Sequence, residues 1–311
     1  IKEIKRVIGN NEIIGVVKAD AYGHGSVRCA EVLRDNGVKR FAVATIEEAL
    51  ELREAGFNES ILILGLVPED CTDIIIEQNL TIVIGSLDRA KKKSEIAMNK
   101  GAVIDCFIAI DSGMGRIGYR IETPLEKEFA RTEIEEIDEL EGLRINGMVS
   151  HFATSDEADS TYTNKQLSLF NDFYEELAGC GINVPMLCIA NSAAIMDYPK
   201  THFDAVRPGI ILYGCYPSEE VDKTRLDLKL VMSVKAYIIH LKTVPAGTSI
   251  SYGRRFVADR ESKIATISIG YADGYSRTLT GKAEVLVHGH RVPVVGSICM
   301  DQCMIDVTDV S

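Results

Sequence analysis

The stretch Phe41-Ala-Val-Ala-Thr-Ile-Glu-Glu-Ala-Leu-Glu-Leu-Arg-Glu-Ala-Gly-Phe-Asn-Glu-Ser-Ile-Leu-Ile-Leu64 holds one complete folding unit. Phe41–Ala44 and Ile61–Leu64 are short, continuous apolar runs, and Ile46–Ala55 between them is amphipathic. Strands that are apolar throughout, rather than alternating, belong to parallel sheets covered on both faces. The same rhythm recurs outward in both directions. Further runs are Ile13–Val17, Thr81–Ile84, Val103–Ile110, Ile145–Val149, Met186–Ile189 and Phe203–Val206. Helical stretches separate them: Ser26–Asn36, Ser86–Asn99, Pro124–Leu140 and Thr161–Gly181. Eight βα units predict an α/β fold of the (β/α)8 TIM-like barrel type. An open doubly wound sheet more often stops at five or six strands. After about Tyr216 the pattern turns β-rich, with runs at Leu228–His240, Lys263–Ile269, Glu284–Val287 and Pro293–Ile298. The expected division is a barrel over 1–216 and a smaller, mostly β C-terminal domain over 217–311. The boundary is expected within Pro217–Arg225.

The whole chain has 311 residues, enough for one large domain or two. Its formal net charge is −12 and it has no basic run, which argues against nucleic-acid binding. No apolar segment approaches the ~18 residues of a membrane span, and no signal peptide is visible. The eight cysteines form no CxxC pair and sit mostly in apolar runs, as expected of reduced thiols in the cytoplasm. Cys299-x-x-x-Cys303 has no second ligand pair beside it, so no metal site is expected.

Candidate chemistry clusters at the strand ends. Lys18 follows the first apolar run, at the C-terminal face where barrel active sites sit. A desolvated lysine becomes a nucleophile able to form an imine, whereas a rim lysine snorkels to water. The strand alone leaves both open. Later strands end in Ser150-His151, Ala190-Asn191-Ser192 and Val206-Arg207-Pro-Gly209-Ile210. One face thereby offers Lys18, Tyr22, Arg116, His151, Ser192 and Arg207. Ser192 and Gly209–Ile210 each start a short helix, and hydroxyl and amide groups at such places can form a phosphate cup. A lysine and a phosphate cup in one barrel point to a phosphorylated aldehyde, with pyridoxal phosphate the first candidate. A sugar-phosphate aldolase would share both features. Gly113-Met-Gly-Arg-Ile-Gly118 is a literal GxGxxG, but the strand after it ends in Ser150-His151 rather than in a ribose-binding acid. In the β-rich part, Tyr252, Tyr271 and the Met300-Asp301 pair stand in polar islands. Each tyrosine could be a corner residue or a general base.

Taken together, Val17-Lys-Ala-Asp-Ala-Tyr-Gly-His-Gly25, Gly113-Met-Gly-Arg-Ile-Gly118, Val206-Arg-Pro-Gly-Ile210, Gly270-Tyr-Ala-Asp-Gly274 and Ile298-Cys-Met-Asp-Gln302 resemble the motifs of the alanine racemase family. The resemblance runs nearly end to end. It implies an isomerase that interconverts L- and D-alanine with pyridoxal 5'-phosphate and supplies D-alanine for peptidoglycan. Lys18 would hold the cofactor and act as one base, and Tyr252 from the partner subunit would be the other. Tyr22, Ser192 and the Gly209–Ile210 amides would hold the phosphate, with Asn191 beside them. Arg207 would bond the pyridine nitrogen, with His151 linking it toward Tyr252. Arg116 would contact cofactor and substrate, and Tyr271, Met300 and Asp301 of the partner would contact substrate. A homodimer with shared sites follows, in the cytoplasm or as the cytoplasmic domain of a longer protein.

Three departures qualify the resemblance. Ala109 stands where the family often has a carbamylated lysine, leaving Arg116 to be oriented by another anion such as chloride. Gly296-Ser297 stands where the family often has Gly-Arg on its substrate route. The sequence also stops before a tail that usually supplies another tyrosine and opens without the family's first strand, so an incomplete copy is expected. The rival readings are a serine/alanine racemase domain of a vancomycin-resistance protein, a non-enzymatic pyridoxal-phosphate carrier, and a fold-related decarboxylase.

Overall fold

The computed structural model describes residues 1–310. They form two compact units, Ile1–Met232 and the residues from Ser233 onward. In the first, eight parallel strands follow one another around a nearly closed barrel: β1 (Glu12–Val16), β2 (Arg40–Val43), β3 (Ser60–Ile63), β4 (Thr81–Ile84), β5 (Ile104–Asp111), β6 (Leu143–Val149), β7 (Leu187–Cys188) and β8 (Ala205–Val206). The ladder runs β7-β6-β5-β4-β3-β2-β1-β8. Its two ends are tied by single bonds: Arg207 N donates to Ala190 O at 2.9 Å, and Leu187 N donates to Asp204 Oδ2 at 2.8 Å.

Strand parity explains why the apolar runs are unbroken. Successive side chains point to opposite faces. Ile14, Val16, Ala42, Leu62, Val83 and Phe107 form part of one buried cluster inside the barrel. Their neighbours Ile13, Phe41, Ile61, Ile63 and Ile82 belong to a second cluster that also contains the buried helix residues Ala49, Leu52 and Ala90. Both faces are dry, so both parities must be apolar. The helices start where their caps are. Thr45 and Thr123 accept from the amides of Glu48 and Glu126, and Glu126 completes a capping box.

The second unit holds a five-stranded antiparallel sheet: β9 (Ile238–Val244), β10 (Ser262–Ile267), β11 (Glu284–Val287), β12 (His290–Val295) and β13 (Cys303–Asp306), in the order β9-β10-β13-β12-β11. The β11–β12 hairpin turns on His288 and Gly289, with φ of 50° and 83°; two positive φ values are the signature of a type I′ turn. Two sequence expectations need correction here. Leu228–His240 is not a continuous strand, since pairing begins only at Ile238 and the segment before it has no ladder. The central strand β13 was missed, because half of its alternating run, Cys303-Met-Ile-Asp306, is only partly buried and it follows a polar island.

Gly147 shows how tightly the barrel closes. A Cβ there would lie 2.6 Å from Met186 O and against the Phe107 ring. Overpacking of this kind typically costs about 1–3 kcal/mol. Gly147→Val should lower the unfolding free energy measured by urea titration by an amount in that range, and an unchanged value would contradict the packing described.

Candidate active site

Lys18 stands just beyond β1, and the four residues after it are unusual. Ala19, Asp20, Ala21 and Tyr22 all have φ between 50° and 57°. Left-handed backbone costs roughly 1–2 kcal/mol per non-glycine residue, so a run of four must be held by its surroundings. Asp20 Oδ1 accepts from Ser26 N at 2.7 Å and fastens the turn to the next helix. The Tyr213 ring packs on Tyr22 at 5.1 Å and on His24 at 4.6 Å between centroids, while its hydroxyl donates to Val16 O at 2.8 Å. The turn delivers Lys18 and Tyr22, four residues apart, to one cavity.

That cavity has a volume of about 610 Å³. Lys18, Tyr22, Arg116, His151, Asn191, Ser192, Arg207, Gly209 and Ile210 all line it. The barrel residues singled out from sequence are therefore brought together without exception.

Arg207 dominates the electrostatics. It is buried, yet its partners carry no charge. Nη1 donates to Cys188 O at 2.6 Å and Cys188 Sγ at 3.0 Å, and Nη2 donates to Ser150 O at 2.5 Å and His151 Nδ1 at 3.3 Å. A guanidinium only donates, so His151 Nδ1 is an acceptor and the neutral ring carries its proton on Nε2. Burial, followed by the charges of Arg207, Arg116 and Lys18, drives the His151 pKa down to about 3. Burial and then Arg116, with Arg207 behind it, also lower the Lys18 pKa, against an opposing pull from Glu48. Burial pushes the Tyr22 phenol up, so it stays a donor. The cavity thus holds surplus positive charge and suits an anionic ligand.

Ser192 Oγ accepts from Gly209 N at 3.0 Å, and Asn191 Oδ1 caps the following helix by accepting from Ala194 N at 3.0 Å. A Cβ on Gly209 would stand 2.6 Å from the Tyr22 hydroxyl oxygen. Only glycine lets Tyr22 and Ser192 crowd this backbone into a cradle. The glycine loop around Arg116 works differently. Asp111 Oδ1 accepts from Gly113 N at 3.0 Å and Gly115 N at 2.9 Å, so these amides are occupied and do not bind a dinucleotide phosphate.

In the second unit, Tyr252, Tyr271, Met300 and Asp301 come from three separate islands that converge. Ser297 Oγ donates to Tyr252 O at 2.8 Å, and Tyr271 N and Ala272 N donate to Cys299 O at 3.1 Å and Met300 O at 2.9 Å. Tyr252 is 71% exposed and Met300 54%.

Two contributors were not anticipated. Glu48 touches the backbone of the Lys18 turn, and its sequence signal, Thr45-x-x-Glu48, reads as an ordinary helix start. Gln166 is fully buried on the face of its helix that carries Phe170 and Phe173, and it donates to His151 O at 3.1 Å. A polar residue at a core position was its only sign.

Comparison with known proteins gives the same architecture. The alanine racemase N-terminal domain model matches residues 1–217, and the alanine racemase C-terminal domain model matches residues 231–311. Alanine racemase 1 of Clostridium acetobutylicum is 50% identical over 309 residues, covering 99% of this chain and 79% of that protein. The structure of alanine racemase from Clostridium difficile 630 superposes with a TM-score of 0.91 at 41% identity, covering 98% of this chain and 78% of the other. Alanine racemase from Bartonella henselae with covalently bound pyridoxal phosphate gives 0.87 at 31% identity, covering 100% and 83%. With both domains matched and half of its residues identical to a relative along nearly its whole length, the chain belongs to the alanine racemase family.

Proposed function

We propose that this chain interconverts L- and D-alanine, with pyridoxal phosphate in the barrel cavity and Lys18 and Tyr252 as the two bases. One observation carries the reading: every barrel residue expected from the family motifs lines a single cavity around a lysine made less basic. The residues fit the cofactor. The Gly209 cradle with Tyr22 and Ser192 suits a phosphate, the surplus positive charge suits a dianion, and Lys18 suits an aldehyde. Asn191 and the Ile210 backbone would complete the cofactor's surroundings. Bound, the cofactor would supply an electron-withdrawing ring that acidifies the substrate Cα–H.

The chain's own residues would do the rest. Arg207 uses Nη1 and Nη2 on the protein, and its Nε would donate to the ring nitrogen without surrendering its proton. Lys18 Nζ would take or return the α-proton on one face. One base cannot serve both faces of a planar carbon, so Tyr252 would act on the other. Arg116 would bind the substrate carboxylate, and Tyr271, Met300 and Asp301 would close the substrate side. The exposure of Tyr252 and Met300 supports a homodimer in which a partner covers them. We place the cofactor domain over 1–216 and the β domain over 217–311; the matches over 1–217 and 231–311 and the two compact units support a division into two such domains. Eight free cysteines support a reducing, cytoplasmic location, and D-alanine for peptidoglycan would be the product.

An optical-rotation assay started separately from L- and D-alanine tests this reading. Activity in both directions is expected, and none in the presence of pyridoxal phosphate would refute it. Tyr252→Phe should lower kcat by about 10²–10⁴-fold, the usual worth of a general base. It should also leave exchange of solvent deuterium into alanine from one enantiomer only. Equal loss of exchange from both would argue against a two-base division.

His151 yields a pH prediction. Its folded pKa, about 3, lies below the ordinary 6.5. The unfolded chain therefore binds more protons between these values, so this share of stability is complete above about pH 6.5 and fades as pH falls toward 3. His151→Asn should flatten the fall in urea midpoint between pH 7 and pH 4. An equally steep fall in the variant would contradict a neutral His151.

A further inference from the structure

Glu48 joins the ends of β1 and β2 where the two strands stop pairing with each other. The β1–β2 pairing ends when Val17 N donates to Ala42 O at 2.9 Å. Beyond that point β1 and β2 no longer pair with each other, although β2 still pairs with β3 through Val43 and Ala44, and the amides of Ala19 and Ala44 need acceptors. Glu48 supplies both: Oε1 accepts from Ala19 N at 2.6 Å, and Oε2 accepts from Ala44 N at 2.6 Å. The Ala19 amide belongs to the peptide bond that leaves Lys18, so the carboxylate grips the backbone at the first residue of the left-handed run. Tyr213 packs at the other end of that run, on Tyr22. The same carboxylate opposes the charges of Arg116 and Arg207 at the Lys18 amine.

From this geometry we infer that Glu48 is a positioning residue for Lys18: its carboxylate replaces the missing ladder between β1 and β2 and fixes the direction in which Lys18 enters the cavity. Glu48 is not among the residues that line the cavity. The inference rests on the function proposed above, in which Lys18 captures pyridoxal phosphate. Thr45 provides the contrast. Its hydroxyl caps the same helix by accepting from Glu48 N at 3.4 Å, and it makes no hydrogen bond to the Lys18 turn. Glu48→Gln keeps the shape but turns an NH2 group toward one of the two amides, a donor facing a donor.

The test follows the rate at which added pyridoxal phosphate is captured by Lys18, read from the visible band and from borohydride reduction with peptide mapping. Wild type, Glu48→Gln, Glu48→Asp and Thr45→Ala are compared. Glu48→Gln should slow capture at least tenfold and lower kcat by a similar factor, with KM for alanine within threefold of wild type. Glu48→Asp, which keeps the charge, should recover part of the rate and stands in if Glu48→Gln does not fold. Thr45→Ala should stay within threefold of wild type throughout. Capture by Glu48→Gln at the wild-type rate, or equal slowing by Thr45→Ala, would overturn the inference while leaving the proposed function standing. No capture by wild type would overturn both.

Discussion

The Arg207 guanidinium lies buried at the barrel mouth and is satisfied by neutral groups only. Its Nη atoms gather the carbonyls of Ser150 and Cys188 from the ends of β6 and β7, while its backbone amide bridges to Ala190. One residue therefore both ties the barrel's two ladder ends and charges its cavity. Removing a charge from water is costly unless something answers it. Here dipoles answer it, and the field is left for a ligand. The neutral His151 ring and the less basic Lys18 are direct consequences.

The second constraint is backbone strain. Four left-handed residues between Lys18 and Gly23 are tolerated because Asp20, Tyr213 and Glu48 hold them from three sides. Glycines do the complementary work, letting chains approach where any Cβ would collide. Gly209 serves the Tyr22 hydroxyl, and Gly270 lets its strand end meet the Met300 backbone. The site is thus built from a few expensive local arrangements carried by a barrel with dry faces of both parities.

Much of this was legible in the sequence. The barrel strands lie within a residue or two of the apolar runs, because a strand dry on both faces writes itself as an unbroken apolar word. Site residues of the barrel were legible because chemistry gathers where such runs stop. What escaped had weaker marks. β13 is short and two of its four residues are only partly buried, so its alternation is faint. The apolar residues before Ile238 looked like a strand, but β pairing requires a neighbour, which sequence does not display. Glu48 was hidden because the Thr45-x-x-Glu48 pattern accounts for it completely at the level of sequence, although its carboxylate bonds Ala19 N and Ala44 N rather than the helix start. A left-handed turn built without glycine, as at Ala19–Tyr22, leaves no compositional trace.

Two lysines of this chain are made less basic by burial, and they separate the account from its simplest rival. Lys93 is 2% exposed and its amine donates to Pro68 O at 3.0 Å, whereas Lys18 is open to the cavity. If burial alone conferred reactivity, both would react; if the cavity does, only Lys18 will. The most direct measurement is to incubate the folded chain with pyridoxal phosphate, reduce with borohydride and locate the adduct by peptide mapping. The account predicts a single adduct on Lys18. An adduct on Lys93 or another lysine, or none at all, would contradict it.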